Sequence, residues 1–186
     1  GSVIQQTFIR VSPNVTVTAV AADNSDSQTR SSATAPTAQG WEYVTGLTLP
    51  ERVVQYANEA VMKLSATPVE AGVWDLVLHP SHLWLTIHES IAHPSELDRA
   101  LGYEANYAGT TFLAPPEKVL GKFRLGKELM TFVANRTEAG GCATVGWDDE
   151  GVAASSYPIV DKGLFVSYQS ATREMILSGI NNELRR

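Results

Sequence analysis

The sequence is poor in cysteine and in long apolar runs. Cys142 is the single cysteine among 186 residues, which excludes an intramolecular disulfide and favours a reducing compartment. No apolar run reaches the roughly 18 to 20 residues that a membrane-spanning helix needs. The first residues also lack the basic-then-apolar pattern of a secretory signal. These absences predict a cytoplasmic protein without a membrane partner.

Positive charge is scarce as well. The chain has 14 Lys and Arg residues against 20 Asp and Glu residues, which gives a net charge of −6. No nucleic-acid partner is expected, because such a partner requires a basic surface and the basic residues here are scattered. The chain does contain 44% hydrophobic and 18% charged residues, a composition typical of a globular domain with a core.

The N-terminal region combines β-branched runs with a polar stretch. The runs VIQQTFIRV (3–11) and VTVTAVAA (15–22) predict two neighbouring strands or a hairpin. Residues 23–40 are small and polar and predict a long loop, and WEYVTGLTL (41–49) predicts a third strand. We therefore expect residues 1–44 to form a region of strands and a polar loop.

A helical period starts at residue 49. In residues 49–66 apolar side chains recur at spacings of three and four, and Pro50 suits a first turn, so we predict a helix. VWDLVLH (73–79) predicts a mostly apolar strand, and Pro80 would end it and start a helix that carries HESIAH (88–93). This order predicts a strand–helix unit with two histidines near the end of a sheet.

The second half of the chain alternates strand-like runs with turn signals. Residues 100–128 are rich in Gly, Pro and aromatics and predict irregular structure. An antiparallel meander is predicted from four successive runs, at 129–137, 141–151, 156–163 and 164–170. Residues 172–186 have a weak helical pattern.

These elements predict an α+β fold, with an antiparallel sheet and a few helices that include one bearing HExxxH. We expect residues 45–186 to form this core. The chain starts with Gly1 and Ser2 instead of Met, which indicates a piece of a longer parent chain.

Two histidines and a glutamate in HESIAH are the side chains that zinc peptidases use. Neutral imidazoles bind zinc, an open position holds water, and a carboxylate takes the proton of that water. HExxH peptidases space their histidines four residues apart, whereas His88 and His93 are five apart. On an ideal helix, at about 100° per residue, these side chains would point roughly 140° apart. A shared metal therefore requires a departure from regular winding.

Two distortions would allow a shared metal. A π-type turn absorbs one extra residue, or the helix ends so that His93 lies just past its last turn. Pro94 favours a distortion, because it disfavours α conformation at His93 and lacks a backbone donor. The alternative is a plain buried helix, for which Ile87 and Ile91 offer apolar surface. The hexapeptide alone leaves both interpretations open.

A longer stretch resembles a known family. VWDLVLHPSHLWLTIHESIAHPSELD (73–98) resembles the central motif of the TldD/PmbA metallopeptidases, also called modulators of DNA gyrase. In that motif an HExxxH helix follows a strand and a proline-containing turn, and Glu96 and Asp98 stand where the motif continues with Glu and Asp. GCATVGWDDEGVAASSYPIVDKGLFVSYQ (141–169) is similar to the family's strand, D-D-E-G turn and hairpin. The resemblance spans roughly residues 45 to 175.

The resemblance implies a zinc metalloprotease, in which His88 and His93 bind the metal and Glu89 is the general base. It also implies unfolded or extended peptides as substrates, gripped as an added β-strand. The expected assembly is a homodimer or a heterodimer with a related subunit. Because this chain has the HExxxH motif, it resembles the catalytic type of subunit.

The chain departs from the family in its length and its cysteine. Family members are more than twice as long, and their third zinc ligand is a cysteine in a Gly-rich segment nearer the C-terminus. Cys142 precedes the D-D-E-G turn instead, and we expect it to be a small buried hydrophobe. We therefore expect the third ligand to lie outside this chain. The isolated piece should bind zinc weakly and hydrolyse little.

Residues just after the motif allow two interpretations. Glu96 and Asp98 offer a third ligand or a partner that fixes an imidazole tautomer. Ser95 followed by Asp98 resembles a helix-capping pair, which is the interpretation we favour.

Other polar residues have simpler interpretations. His79 is expected to end its strand, and His82 to be exposed on the first helical turn. Asp148–Gly151 predicts a solvated hairpin turn, because it lacks the alternating oxygen ligands of a calcium loop.

Two further functions stay open. One is a non-catalytic partner or regulatory subunit with vestigial histidines. The other is an interaction domain of a larger assembly. The physiological substrate does not follow from the sequence.

Overall fold

The described part of the chain forms two compact units. A computed structural model describes residues 1–170. One unit is Thr7–Ser81, and the other combines Gly1–Gln6 with the chain from His82 onward. Helices are combined with small antiparallel sheets, so the predicted α+β class is confirmed. The predicted division after residue 44 stays a prediction.

The Thr7–Ser81 unit contains a hairpin of two strands. β1 (Thr16–Val20) pairs antiparallel with β2 (Ser27–Ser31). The hydroxyl oxygens of Thr16 and Ser31, which face each other across the hairpin, lie 3.0 Å apart. Short polar side chains thus stabilise this ladder through cross-strand pairs.

Two predictions for this region are wrong. Residues 23–40, predicted as a loop, contain β2. Residues 3–11, predicted as a strand beside 15–22, make only an isolated bridge from Val11 to Thr37. β2 has the sequence SQTRS, which contains no apolar residue. The alternation of apolar and polar residues that indicates a strand is therefore absent from it.

Two helices follow the hairpin: α1 (Trp41–Gly46) and α2 (Leu49–Lys63). The strand predicted from residue 41 is therefore wrong, and the helix predicted from residue 49 is confirmed. At the start of α1 the Glu42 carboxylate accepts a hydrogen bond from the Gly40 N–H at 2.8 Å. A negative charge is favourable at that end of a helix.

α2 packs against the β1–β2 hairpin. Leu49, Tyr56 and Ala60 are the buried residues of α2. Arg30 of β2 lies over the Tyr56 ring and pairs with Glu59. That guanidinium holds the pKa of Glu59 below its usual value.

The apolar segment at 73–79 is not a strand. Val73 and Val77 are fully exposed, and no described strand pairs with the segment. The predicted strand is therefore wrong. Strand backbone needs a hydrogen-bonded neighbour, and residues 1–170 supply none here.

The HExxxH-bearing helix is confirmed, but its winding changes twice. α3 (Pro80–Ile87) continues into a π-helical segment (His88–Ala92) and then into a 3-10 turn (His93–Ser95). Glu96 is extended, and α4 (Leu97–Ala100) follows it.

The second sheet is formed by three of the four runs that were predicted to make an antiparallel meander. After the short helix α5 (Pro116–Val119), the sheet has the order β3 (Phe132–Asn135), β4 (Ser156–Asp161), β5 (Leu164–Phe165). Lys162-Gly163 joins the last two strands, and both residues have positive φ, as a two-residue hairpin turn requires.

The strand predicted at 141–151 is absent, whereas its turn is present. Trp147 and Ala153 form an isolated antiparallel bridge. Between them the Gly151 N–H donates to the Asp148 carbonyl at 3.0 Å. The predicted hairpin turn at Asp148–Gly151 is thus confirmed.

The core of the unit that contains the second sheet is formed by residues of the π-helical segment, α4, α5, β4 and β5 and by two residues outside these elements. Its buried members are Ile91, Leu97, Leu113, Val119, Ile159, Val160, Phe165 and Tyr168. The π-helical segment therefore contributes directly to this core.

Within residues 1–170, no helix combines the length and apolar character needed to cross a bilayer. The weak helix predicted at 172–186 lies outside the described residues.

Candidate metal centre

His88, Glu89 and His93 come together where the π-helical segment meets the 3-10 turn. One ligand atom from each residue lies within 4.8 Å of those of the other two. The imidazole rings meet edge to face, with centroids 4.1 Å apart and planes at 70°. Within residues 1–170, this is the one group of three or more such side chains that could hold a metal ion.

The convergence follows from the π-helical winding. The His93 N–H donates to the His88 carbonyl five residues earlier, so the two histidines lie one above the other instead of on divergent faces. The predicted departure from regular winding is confirmed, and it takes the form of the π turn.

The expected effect of Pro94 on its neighbour is wrong. His93 keeps right-handed helical angles, with φ −58° and ψ −45°. Pro94 lies at the beginning of the 3-10 turn, where its missing N–H removes no needed hydrogen bond. The steric preference before proline is therefore overridden here.

Two interactions hold the distorted turn in place. Ile91 is only 5% exposed and packs in the core. The Ala92 carbonyl accepts hydrogen bonds from Ser95 Oγ at 2.9 Å and from Gln169 Nε2 at 2.8 Å. Gln169 Nε2 also lies 3.0 Å from Ser95 Oγ. Side chains thus satisfy a carbonyl at the place where regular helix ends.

His93 has a carboxylate partner. Its Nδ1 lies 2.8 Å from Glu96 Oε1 and 3.1 Å from Arg99 Nη2. Arg99 Nε donates to the other oxygen, Glu96 Oε2. One ring nitrogen cannot donate to Glu96 and accept from Arg99 at once. The contact with Glu96 is the shorter of the two, and it is a contact with an anion, which favours a proton on Nδ1.

The capping interpretation of Ser95 and Asp98 is wrong. Ser95 Oγ donates back to a carbonyl, and α4 has no side-chain cap at its first residue. Asp98 Oδ1 accepts a hydrogen bond only 2.8 Å away, from the N–H of its neighbour Arg99.

Sequence reasoning missed two residues of this network. Arg99 is three residues after Glu96, a spacing typical of ion pairs on a helix, and that signal could have revealed it. Gln169 lies 77 residues from Ala92 in the sequence, and no local pattern points to it.

The three candidate ligands differ in exposure. The side chains of His88 and Glu89 are 49% and 60% exposed, whereas that of His93 is 29% exposed. His79, His82 and Cys142 do not belong to the group. His79 Nδ1 instead lies 2.9 Å from Ser81 Oγ.

The donor set fits a divalent metal such as zinc. Imidazole nitrogens and carboxylate oxygens are its usual protein ligands, next to thiolate. Ligand atoms within 4.8 Å of one another could hold a common ion. A second ring nitrogen bound to a carboxylate, as in His93, is typical of metal-binding histidines.

Comparison with known proteins agrees with this chemistry. The family model described as PmbA/TldA metallopeptidase C-terminal domain matches residues 71–180, which is more than half of the chain. A protein named as a metalloprotease from Methanocaldococcus jannaschii is 29% identical over 111 residues, which cover 60% of this chain and 22% of that protein. The matched part is thus about a fifth of the relative's length. By the match to the family model, the chain belongs to the TldD/PmbA family of metallopeptidases.

Proposed function

We propose that the protein to which this chain belongs is a zinc peptidase, in which His88 and His93 bind zinc and Glu89 is the general base. The observation that carries the proposal is the convergence of the three side chains within 4.8 Å. π turns are rare and recur at functional sites. Here the extra residue is what brings two histidines of unsuitable spacing to one place.

The chain's own residues divide the chemistry between them. His93 and His88 would hold the metal through ring nitrogens. Glu89, whose Oε1 lies 4.0 Å from His88 Nε2, takes a proton from the attacking water and returns one to the leaving amine. Zinc, when bound, lowers the pKa of its water to about 7 and polarises the scissile carbonyl. The exposure of Glu89 leaves room for a peptide beside it.

The proposal also covers the third metal ligand, the substrates and the assembly of the full-length protein. The third protein ligand comes from outside this chain, because Cys142 does not belong to the described group. The substrates are unfolded or extended peptides, and the assembly is a homodimer or a heterodimer with a related subunit. These statements rest on the family resemblance. They also imply weak zinc binding and little hydrolysis by the isolated piece.

The test is zinc analysis and a peptidase assay of the full-length protein with two substitutions. His88→Ala should lose bound zinc and activity together. Glu89→Gln keeps the shape of the side chain but cannot accept the proton, so it should keep zinc and lose activity, by about 10²- to 10⁴-fold.

The matched control is His82→Ala, which removes an exposed imidazole of α3 outside the group. It should leave zinc content and activity unchanged. A wild-type protein without bound zinc would contradict the proposal and favour a non-catalytic partner subunit. Full zinc content in His88→Ala would also contradict it.

A further inference from the structure

We propose that Glu96 is a positioning residue: its carboxylate, held by Arg99, fixes the His93 imidazole with the proton on Nδ1 and presents Nε2 to the metal. This inference rests on the proposed function in so far as His93 is taken as a ligand. The orientation of the ring itself is independent of the metal and can be tested without it.

Glu96 is already occupied by two partners. Oε1 lies 2.8 Å from His93 Nδ1, and Oε2 accepts the hydrogen bond from Arg99 Nε. The carboxylate also lies outside the group of converging ligand atoms formed by His88, Glu89 and His93. A direct ligand would have to give up one of these bonds, whereas a positioning residue uses both.

The Arg99 guanidinium is itself fixed by a second hydrogen bond. The Arg99 side chain is 15% exposed, and its Nη1 donates to the Ala108 carbonyl at 2.7 Å. The guanidinium therefore links the loop at Ala108 to the Glu96 carboxylate. Because two of its nitrogens are fixed in this way, the carboxylate cannot swing away from the histidine without breaking an ion pair.

The backbone of Glu96 is fixed from the opposite side. Glu96 bridges Gln169 in a parallel arrangement, in which the Gln169 N–H donates to the Ser95 carbonyl at 2.7 Å and the Leu97 N–H donates to the Gln169 carbonyl at 3.0 Å. Both ends of the Glu96 side chain are thus defined, its Cα by this bridge and its carboxylate by Arg99.

The consequence is a preorganised ligand. An imidazole without a partner at Nδ1 would populate both tautomers and rotate about χ2. Metal binding must then restrict both the tautomer and the rotation of the ring. Loss of such a partner typically weakens metal binding by about 10- to 100-fold. Glu89 has no comparable set of partners among the described contacts.

Two measurements on the full-length protein test the inference. The first is the ¹⁵N spectrum of histidine-labelled, metal-free protein, in which the neutral form of the His93 imidazole should carry its proton on Nδ1. The second is the zinc dissociation constant, obtained by competition with a chelator. Glu96→Ala leaves the Arg99 guanidinium, which can only donate, as the neighbour of Nδ1. It should therefore shift the proton from Nδ1 towards Nε2 and weaken zinc binding about 10- to 100-fold. Glu96→Gln, which keeps one acceptor oxygen, should have an intermediate effect.

The matched control is Glu117→Gln, an exposed glutamate of α5 with no contact to His93. It should change neither measurement, and thermal unfolding of each metal-free variant identifies any that fails to fold.

An unchanged His93 tautomer together with an unchanged zinc dissociation constant in Glu96→Ala would overturn the inference. So would a cobalt-substituted spectrum in which Glu96→Gln has lost one ligand, because that result makes Glu96 a direct ligand. If wild type binds no zinc, the proposed function fails, but the tautomer in Glu96→Ala still decides the positioning role.

Discussion

At the scale of single residues, Ile91 marks the face of the π turn that packs in the core, whereas the candidate metal ligands lie on another face. It lies between Glu89 and His93 in sequence, yet it is 5% exposed and packs with Leu97 in the core. Glu89 and Ser90 are exposed. Burial of one aliphatic side chain thus fixes the rotation of the segment, and the candidate ligands face away from the core as a result.

Ile91→Ala tests this anchoring role. The substitution should destabilise the domain by about 2–5 kcal/mol, because it leaves a cavity where the side chain was packed. It should also weaken zinc binding, since the turn loses its fixed rotation. Ile87→Ala, at a position that is 39% exposed, is the control and should cost much less. Chemical denaturation and zinc titration measure both effects; equal losses for the two variants would refute the anchoring role.

At the scale of elements, the π turn depends on a partner from the other end of the described chain. Gln169 follows β5 and binds the turn with its side chain at Ala92 and with its backbone at Ser95 and Leu97. The hydrogen bonds that regular helix would have provided internally are therefore supplied by the segment after the meander. The sheet is thereby coupled to the geometry of the two histidines.

Gln169→Ala tests this coupling. The Ala92 carbonyl would keep Ser95 Oγ as a donor but lose the glutamine amide, at a cost of about 1–3 kcal/mol. We expect faster hydrogen exchange at the His93 N–H and weaker zinc binding. Gln55→Ala, which removes an exposed glutamine of α2, should change neither. Unaltered exchange at His93 in Gln169→Ala would show that the π turn is stable without the glutamine.

At the scale of the whole molecule, elements that depend on neighbouring residues follow from the sequence, whereas elements that depend on a distant partner do not. α2 was predicted because its apolar stripe and Pro50 act within the helix. β2 was missed, and a strand at 73–79 was wrongly predicted, because a strand depends on a partner elsewhere in the chain and apolar content does not identify that partner.

The same distinction applies to the candidate site. The spacing of His88 and His93 was enough to predict a distorted winding, because helical geometry alone rules out a shared metal on a regular helix. The supports of that winding were not predictable in the same way. Arg99 is near in sequence, but the HExxxH motif does not indicate its contact with Glu96. Gln169 is brought to the turn only by the folding of the sheet.

Metal removal should therefore affect the stability of the domain as well as its activity. A ligand that binds only the folded state stabilises it by about 2.7 kcal/mol at a concentration 100 times its dissociation constant, or roughly 5–10 °C in Tm for a domain of this size. A chelator should lower the Tm of full-length wild type by a shift of this order. It should leave His88→Ala unchanged, because that variant has no zinc to lose, while His82→Ala should respond as wild type does. Scanning calorimetry with and without chelator measures the shifts, and an equal decrease in His88→Ala would place the stabilising metal elsewhere in the protein.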